Sequence, residues 1–269
     1  MGRRARAAHR RLRTLRAAPL TLLRQRPHAA VALAAAALFT LVALLSATGV
    51  LSSLDQHAVN EWMPGLDHGA GSRGGGLIGG AAISEALIPG WQAPRAGGER
   101  ASLATYVVVV LASGLPSVLL AGGALALLAR RGRRSLAVCL GAAFVLANVA
   151  EVVTKLALGR EALHTWVPPG ALPRILPFDH SFPSGHTLRS ALLAACVLAL
   201  WRRAGLAVAA WALAVALLLV SGGWHTPTDV IGGVLLAVAF GAAAAAAAPE
   251  VEARGPAWLR DRAGGTDPA

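Results

Sequence analysis

Long apolar stretches separated by short clusters of arginine constrain this chain more than any other feature. A helix that crosses a bilayer needs about 20 mostly apolar residues, because the hydrocarbon core is about 30 Å thick and each residue rises about 1.5 Å. Stretches that meet or approach this length run over 29–51, 102–129, 135–158, 186–201, 206–224 and 228–248. In lipid, every backbone amide and carbonyl must find its partner within the protein, which selects helices. The expected fold is therefore all-α: a polytopic membrane protein built as a bundle of six transmembrane helices. Gly114 and Pro116 predict a break inside the second stretch, and the fourth is the shortest. Charged residues form only 14% of the chain, against about 25% in a soluble domain.

A formal charge of +12 invites a nucleic-acid reading, but the basic residues do not spread over a face interleaved with aromatics. Nine arginines precede residue 28, and Arg130, Arg131, Arg133 and Arg134 form another cluster between apolar runs. This distribution follows the positive-inside rule and predicts no nucleic-acid partner. With the N-terminus inside, the Arg130–Arg134 loop, the Arg202-Arg203 loop and the C-terminal tail are inside as well. The segments 55–100 and 159–185 and the turn at His225 then face out. Arg3-Arg4 and Arg10-Arg11 are twin arginines, yet the apolar stretch after them exceeds the about 7–15 residues of a secretory leader. It reads as an uncleaved anchor and first span of a multi-pass cell-membrane protein.

The expected organisation is a basic cytoplasmic segment over 1–28, a membrane domain over 29–248 and a polar, disordered cytoplasmic tail over 249–269. Residues Leu54 to Trp62 are expected to form a short interfacial helix on the outer side. The Gly-rich stretch 69–80 lacks the strand and lysine of a phosphate-cradling loop. Cys139 and Cys196 lie within apolar runs and read as small buried hydrophobes.

The chemistry-bearing residues gather at one surface of this topology. Pro183-Ser184-Gly185-His186 opens the fourth span, and His225-Thr226-Pro227-Thr228-Asp229 forms the turn between the fifth and sixth. Lys155, the only lysine in the chain, lies near the outer end of the third. A chain that otherwise uses arginine for every basic position, yet keeps one lysine at a membrane boundary, points to a need for a compact ammonium. Snorkelling at a helix end is the structural alternative. Glu151 lies four residues earlier, on the same helix face, placed to neutralise or orient Lys155.

Lys155, the Pro-Ser-Gly-His element and the His225…Asp229 element together resemble the three signature motifs of the type 2 phosphatidic acid phosphatase (PAP2) superfamily, over about 155–233. The six-span layout is similar too. The resemblance implies an integral membrane lipid phosphate or pyrophosphate phosphatase that needs no metal and no cofactor. Two arginines of the family pattern are absent. Ala162 and Leu163 stand where it has arginine and proline, and Leu218 and Leu219 stand where it has serine and arginine.

The residues themselves suit that chemistry. Phosphate-ester hydrolysis needs a nucleophile, an acid for the leaving oxygen and donors around the equatorial oxygens. His225 is the candidate nucleophile, with Asp229 fixing its tautomer, and His186 the candidate acid and base. Lys155, the Ser184 hydroxyl and the Gly185 amide are candidate phosphate donors, at a helix start that favours anions. Arg160 and Arg189 are candidate replacements for the absent arginines, as is Arg174. A membrane-inserted Arg189 must face a polar cavity or snorkel.

Each motif also has a purely structural reading. Thr226-Pro227-Thr228-Asp229 is a good helix start, with threonine as cap and proline at the first position. Two histidines and an aspartate also suit zinc, but no convincing third ligand is present. Beside the hydrolase stand two alternatives: a catalytically impaired relative that binds anionic lipid or a membrane partner, and a phosphotransferase using the same residues. The oligomeric state is not encoded in any of these features.

Overall fold

The computed structural model describes residues 27–51, 54–55, 57–58, 103–159, 180–221 and 224–259. All regular structure among them is helical: α1 (Pro27–Ala47), α2 (Leu103–Val110), α3 (Gly114–Arg130), α4 (Arg134–Leu158), α5 (Gly185–Leu200), α6 (Gly205–Ser221) and α7 (Pro227–Arg254), with short 3-10 turns at Arg202–Ala204 and Ala257–Leu259. Four segments are long and apolar enough to cross a membrane: α1, α4, α6 with its preceding turn, and α7. Two apolar helices are shorter, α3 with 17 residues and α5 with 16. The chain is thus an all-α polytopic membrane protein. The expected break in the second stretch falls at 111–113, just ahead of Gly114 and Pro116.

Side-chain size sorts the faces of these helices. The interior is built largely from alanine: Ala121, Ala137, Ala143, Ala147, Ala237 and Ala244 are all buried. Leu119 is 66% exposed, Val145 62% and Leu217 60%. In water such an arrangement would be inverted. In lipid it is natural, because tails solvate leucine while small residues let backbones approach. α7 is the central element, packing along α1, α4 and α5, while α3 lies against α4 and α5, and α6 lies against α5 and α2.

The arginines at one end are engaged with helix ends. Arg131 and Arg133 donate to the carbonyls of Leu200 (2.8 Å) and Ala199 (2.6 Å), the terminal acceptors of α5. Arg131 also lies 5.0 Å above the Trp201 ring. These carbonyls carry the negative end of the α5 dipole, so cations belong there.

α7 does not stop at 248, where the polar tail was expected to begin. It continues through Pro249 to Arg254, and Leu259 beyond it is buried. Proline forfeits one intrahelical bond. The packing of Ala248 and Val251 against Leu128, Leu140 and Leu200 holds the helix regardless. Ser135 and Arg134 then bind the carbonyls of Leu259 and Trp258, each at 2.9 Å. Residues 1–26 and 260–269, the Gly-rich stretch, Trp62, Arg160, Ala162, Leu163 and Arg174 lie outside the described residues.

Candidate active site

α7 begins with a capping box. Thr226 Oγ1 accepts from the Asp229 amide (3.4 Å), and Asp229 Oδ2 accepts from the Thr226 amide (2.9 Å). The same Oδ2 lies 3.4 Å from His225 Nδ1. One fully buried carboxylate thus caps the helix and lies beside the His225 ring. His225 is itself anchored by its backbone, which donates to the Leu219 carbonyl at 3.1 Å.

Asp55 adds a second cap that the sequence reading missed. Its carboxylate accepts from the Thr228 amide (3.2 Å) and the Thr228 hydroxyl (2.5 Å). Within the expected interfacial helix, Asp55 and Ala58 are buried against the bundle while Leu54 is 51% exposed. The only sequence signal was an acidic residue just past the first span, and its partner lies 173 positions away.

α5 starts beside α7. The Ser184 amide donates to the Asp229 carbonyl at 2.9 Å, which ties the two helix starts together. Ser184 is the N-cap of α5: its oxygen accepts from the Thr187 amide (3.4 Å) and hydroxyl (3.0 Å), and its own hydrogen remains to be donated. This close approach depends on Gly233, where an added Cβ would sit 2.5 Å from the Ser184 carbonyl oxygen. Phe182 is buried and stacks on Phe39 of α1, with ring centroids 6.0 Å apart.

The third part of the site is an ionic cluster between α4 and α5. Glu151 accepts from Lys155 Nζ at 3.4 Å and from Arg189 at 3.0 Å. Arg189 also donates to Asn148 Oδ1 (3.1 Å) and, through Nε, to the Ala112 carbonyl (3.1 Å). The last contact has a cause in the sequence. In a continuous helix the Ala112 carbonyl would accept from residue 116, and Pro116 has no N–H to give. The broken helix leaves an acceptor that the guanidinium takes.

Arg189 therefore faces the site rather than snorkelling, with its side chain only 15% exposed. His186 follows Gly185 in the first turn of α5, one turn before Arg189, whose guanidinium reaches the Glu151 that also pairs with Lys155. Lys155, Ser184, Gly185, His186, Arg189, His225 and Asp229 thus converge from three helices at the end opposite the arginine clusters. Leu219, at one absent family arginine, does not point into this cluster. It is buried with Val109, Ala112 and Val215. Asn148 is a further participant that the sequence reading missed, since an amide within an apolar helix carries no motif.

Fold and site together define a polytopic helical membrane protein with titratable side chains gathered where two helix starts meet. Residues 136–252 match the PAP2 superfamily, in agreement with the resemblance carried by the motifs. Among solved structures the chain is similar to the first transmembrane PAP2 type phosphatidylglycerolphosphate phosphatase from Bacillus subtilis, with 16% identity, a TM-score of 0.51, and coverage of 84% of this chain and 98% of the other. At that identity the likeness speaks for the fold. No curated protein matches the chain.

Proposed function

We propose that this protein is a membrane lipid phosphate or pyrophosphate phosphatase that works through a phosphohistidine at the outer leaflet. The observation that carries this reading is the convergence of the His225–Asp229 pair, His186, and the cations Lys155 and Arg189 at the joined starts of α5 and α7. Asp229 engages Nδ1 of His225 and leaves Nε2 to attack phosphorus. The bond from phosphorus to the leaving oxygen breaks, and His186 supplies the proton that oxygen needs. His186 then takes a proton from water, whose oxygen attacks phosphorus. The P–N bond breaks and phosphate leaves. Lys155, Arg189, the Ser184 hydroxyl and the Gly185 amide hold the equatorial oxygens, with Arg160 a further candidate. No step needs a metal.

A site at headgroup level admits a lipid sideways from the bilayer, so phosphatidic acid, phosphatidylglycerol phosphate and polyprenyl phosphates or pyrophosphates all suit it. The outward orientation rests on the arginine clusters at the opposite end. An alcohol in place of water in the second step would make the same site a phosphotransferase.

One observation favours a second reading, a lipid-binding relative without turnover: Leu219 is core where the family pattern has arginine. The deciding experiment is phosphate release from a panel of lipid phosphates by the purified protein, with chelator present, beside His225→Ala. Release that survives the chelator and disappears in the variant is expected. Lipid phosphate that binds without release would sink the enzyme reading.

A further inference from the structure

The Glu151 carboxylate stands where a substrate would be expected to place an oxyanion. One oxygen faces Lys155 Nζ at 3.4 Å and the other accepts from Arg189 at 3.0 Å. A Cβ added at Gly185 would collide with that first oxygen and would sit 2.7 Å from Arg189 Nη2, so only glycine fits beside the pair. Lys155, Arg189 and Gly185 are three of the groups assigned above to phosphate. The two cations meet at this one carboxylate, which lies beside Gly185 and is only 5% exposed.

We infer that Glu151 is a resting counter-ion that fills the phosphate cradle, and that a phosphate group binds only by displacing it. The inference rests on the phosphatase reading of the site. Two cations in a low-dielectric setting are costly without an anion, and Glu151 supplies one to both. The cradle also survives the exchange. Arg189 keeps two further anchors when Glu151 withdraws, the Ala112 carbonyl and Asn148 Oδ1. A carboxylate needed merely to hold Arg189 in place would duplicate these bonds, and one needed merely to neutralise Lys155 would not also bind Arg189.

The consequence is a selectivity rule. Every phosphate must displace an existing ion pair, whether or not it carries a lipid tail. A lipid offsets that cost through burial of its tail, since binding at a remote part of a substrate can support events at the reacting group. Inorganic phosphate and water-soluble phosphate esters have no such compensation. Glu151 therefore disfavours soluble phosphates and speeds the departure of the phosphate product.

The test is calorimetric titration of the full chain in detergent with inorganic orthovanadate, for the wild type, Glu151→Gln and Glu151→Asp. Removing one like charge from the cradle is expected to tighten vanadate binding about tenfold or more in Glu151→Gln. Glu151→Asp draws the carboxylate back by one methylene and is expected to tighten it less. The aspartate variant carries the test alone if the glutamine variant does not fold. Wild-type binding that is unchanged or weakened in the folded variants overturns the inference and leaves the phosphatase reading standing. No vanadate binding to any of the three overturns both.

Discussion

Arg189 shows how much the role of one residue depends on partners that sequence does not reveal. From the chain alone it was one of three candidate arginines, equally suited to snorkelling. The structure gives it Ala112, Asn148 and Glu151 as acceptors. A guanidinium can reach three acceptors in one plane, and a lysine ammonium cannot reproduce that fork. Arg189→Lys is therefore expected to remain folded while kcat/KM for lipid phosphate falls about 10²–10³-fold, the usual loss for one preorganised donor. A rate within a factor of two of the wild type would remove Arg189 from the site. The motif residues were legible because His, Asp, Ser and Lys are rare in apolar runs. Asp55 and Asn148 were not, because their roles exist only through neighbours brought together by folding.

At the level of elements, helix existence was legible and helix pairing was not. Length and apolarity located the four long apolar segments and the two shorter apolar helices, and Pro116 located the break between α2 and α3. Lipid is as apolar as a helix interior, however, so the faces carry no contrast that would identify a helix's neighbours. The approach of α5 to α7 illustrates the gap. It rests on Gly233 lying under the Ser184 carbonyl, a contact between positions far apart in the chain. Gly233→Ala is expected to push the two helix starts apart, loosening the bond from the Ser184 amide to the Asp229 carbonyl. The expected readout is a loss of about 1–3 kcal/mol by the overpacking rule, seen as a lower Tm in detergent, with activity falling alongside. Gly122 lies inside α3 with open space around it, so Gly122→Ala should hold or slightly raise Tm through helix propensity and serves as the comparison.

Across the described residues, charge gathers at two ends: Arg130–Arg134 and Arg202-Arg203 at one, and Glu151, Lys155, His186, Arg189, His225 and Asp229 at the other. With the arginine end inside, His180→Cys should react with a membrane-impermeant maleimide on intact cells, and Arg202→Cys only after permeabilisation. The opposite pattern would invert the topology and move the site to the inner leaflet. The native Cys139 and Cys196 are buried and should contribute little background. The molecule's robustness can also be read from a group it lacks. At Pro116 the missing N–H leaves the Ala112 carbonyl to Arg189. Pro116→Ala would supply that N–H, add helix propensity, and let the chain take the carbonyl back. Its expected signature is a higher Tm with slower phosphate release. A breeder who selected this protein only for heat resistance would therefore tend to collect variants that last longer and do less.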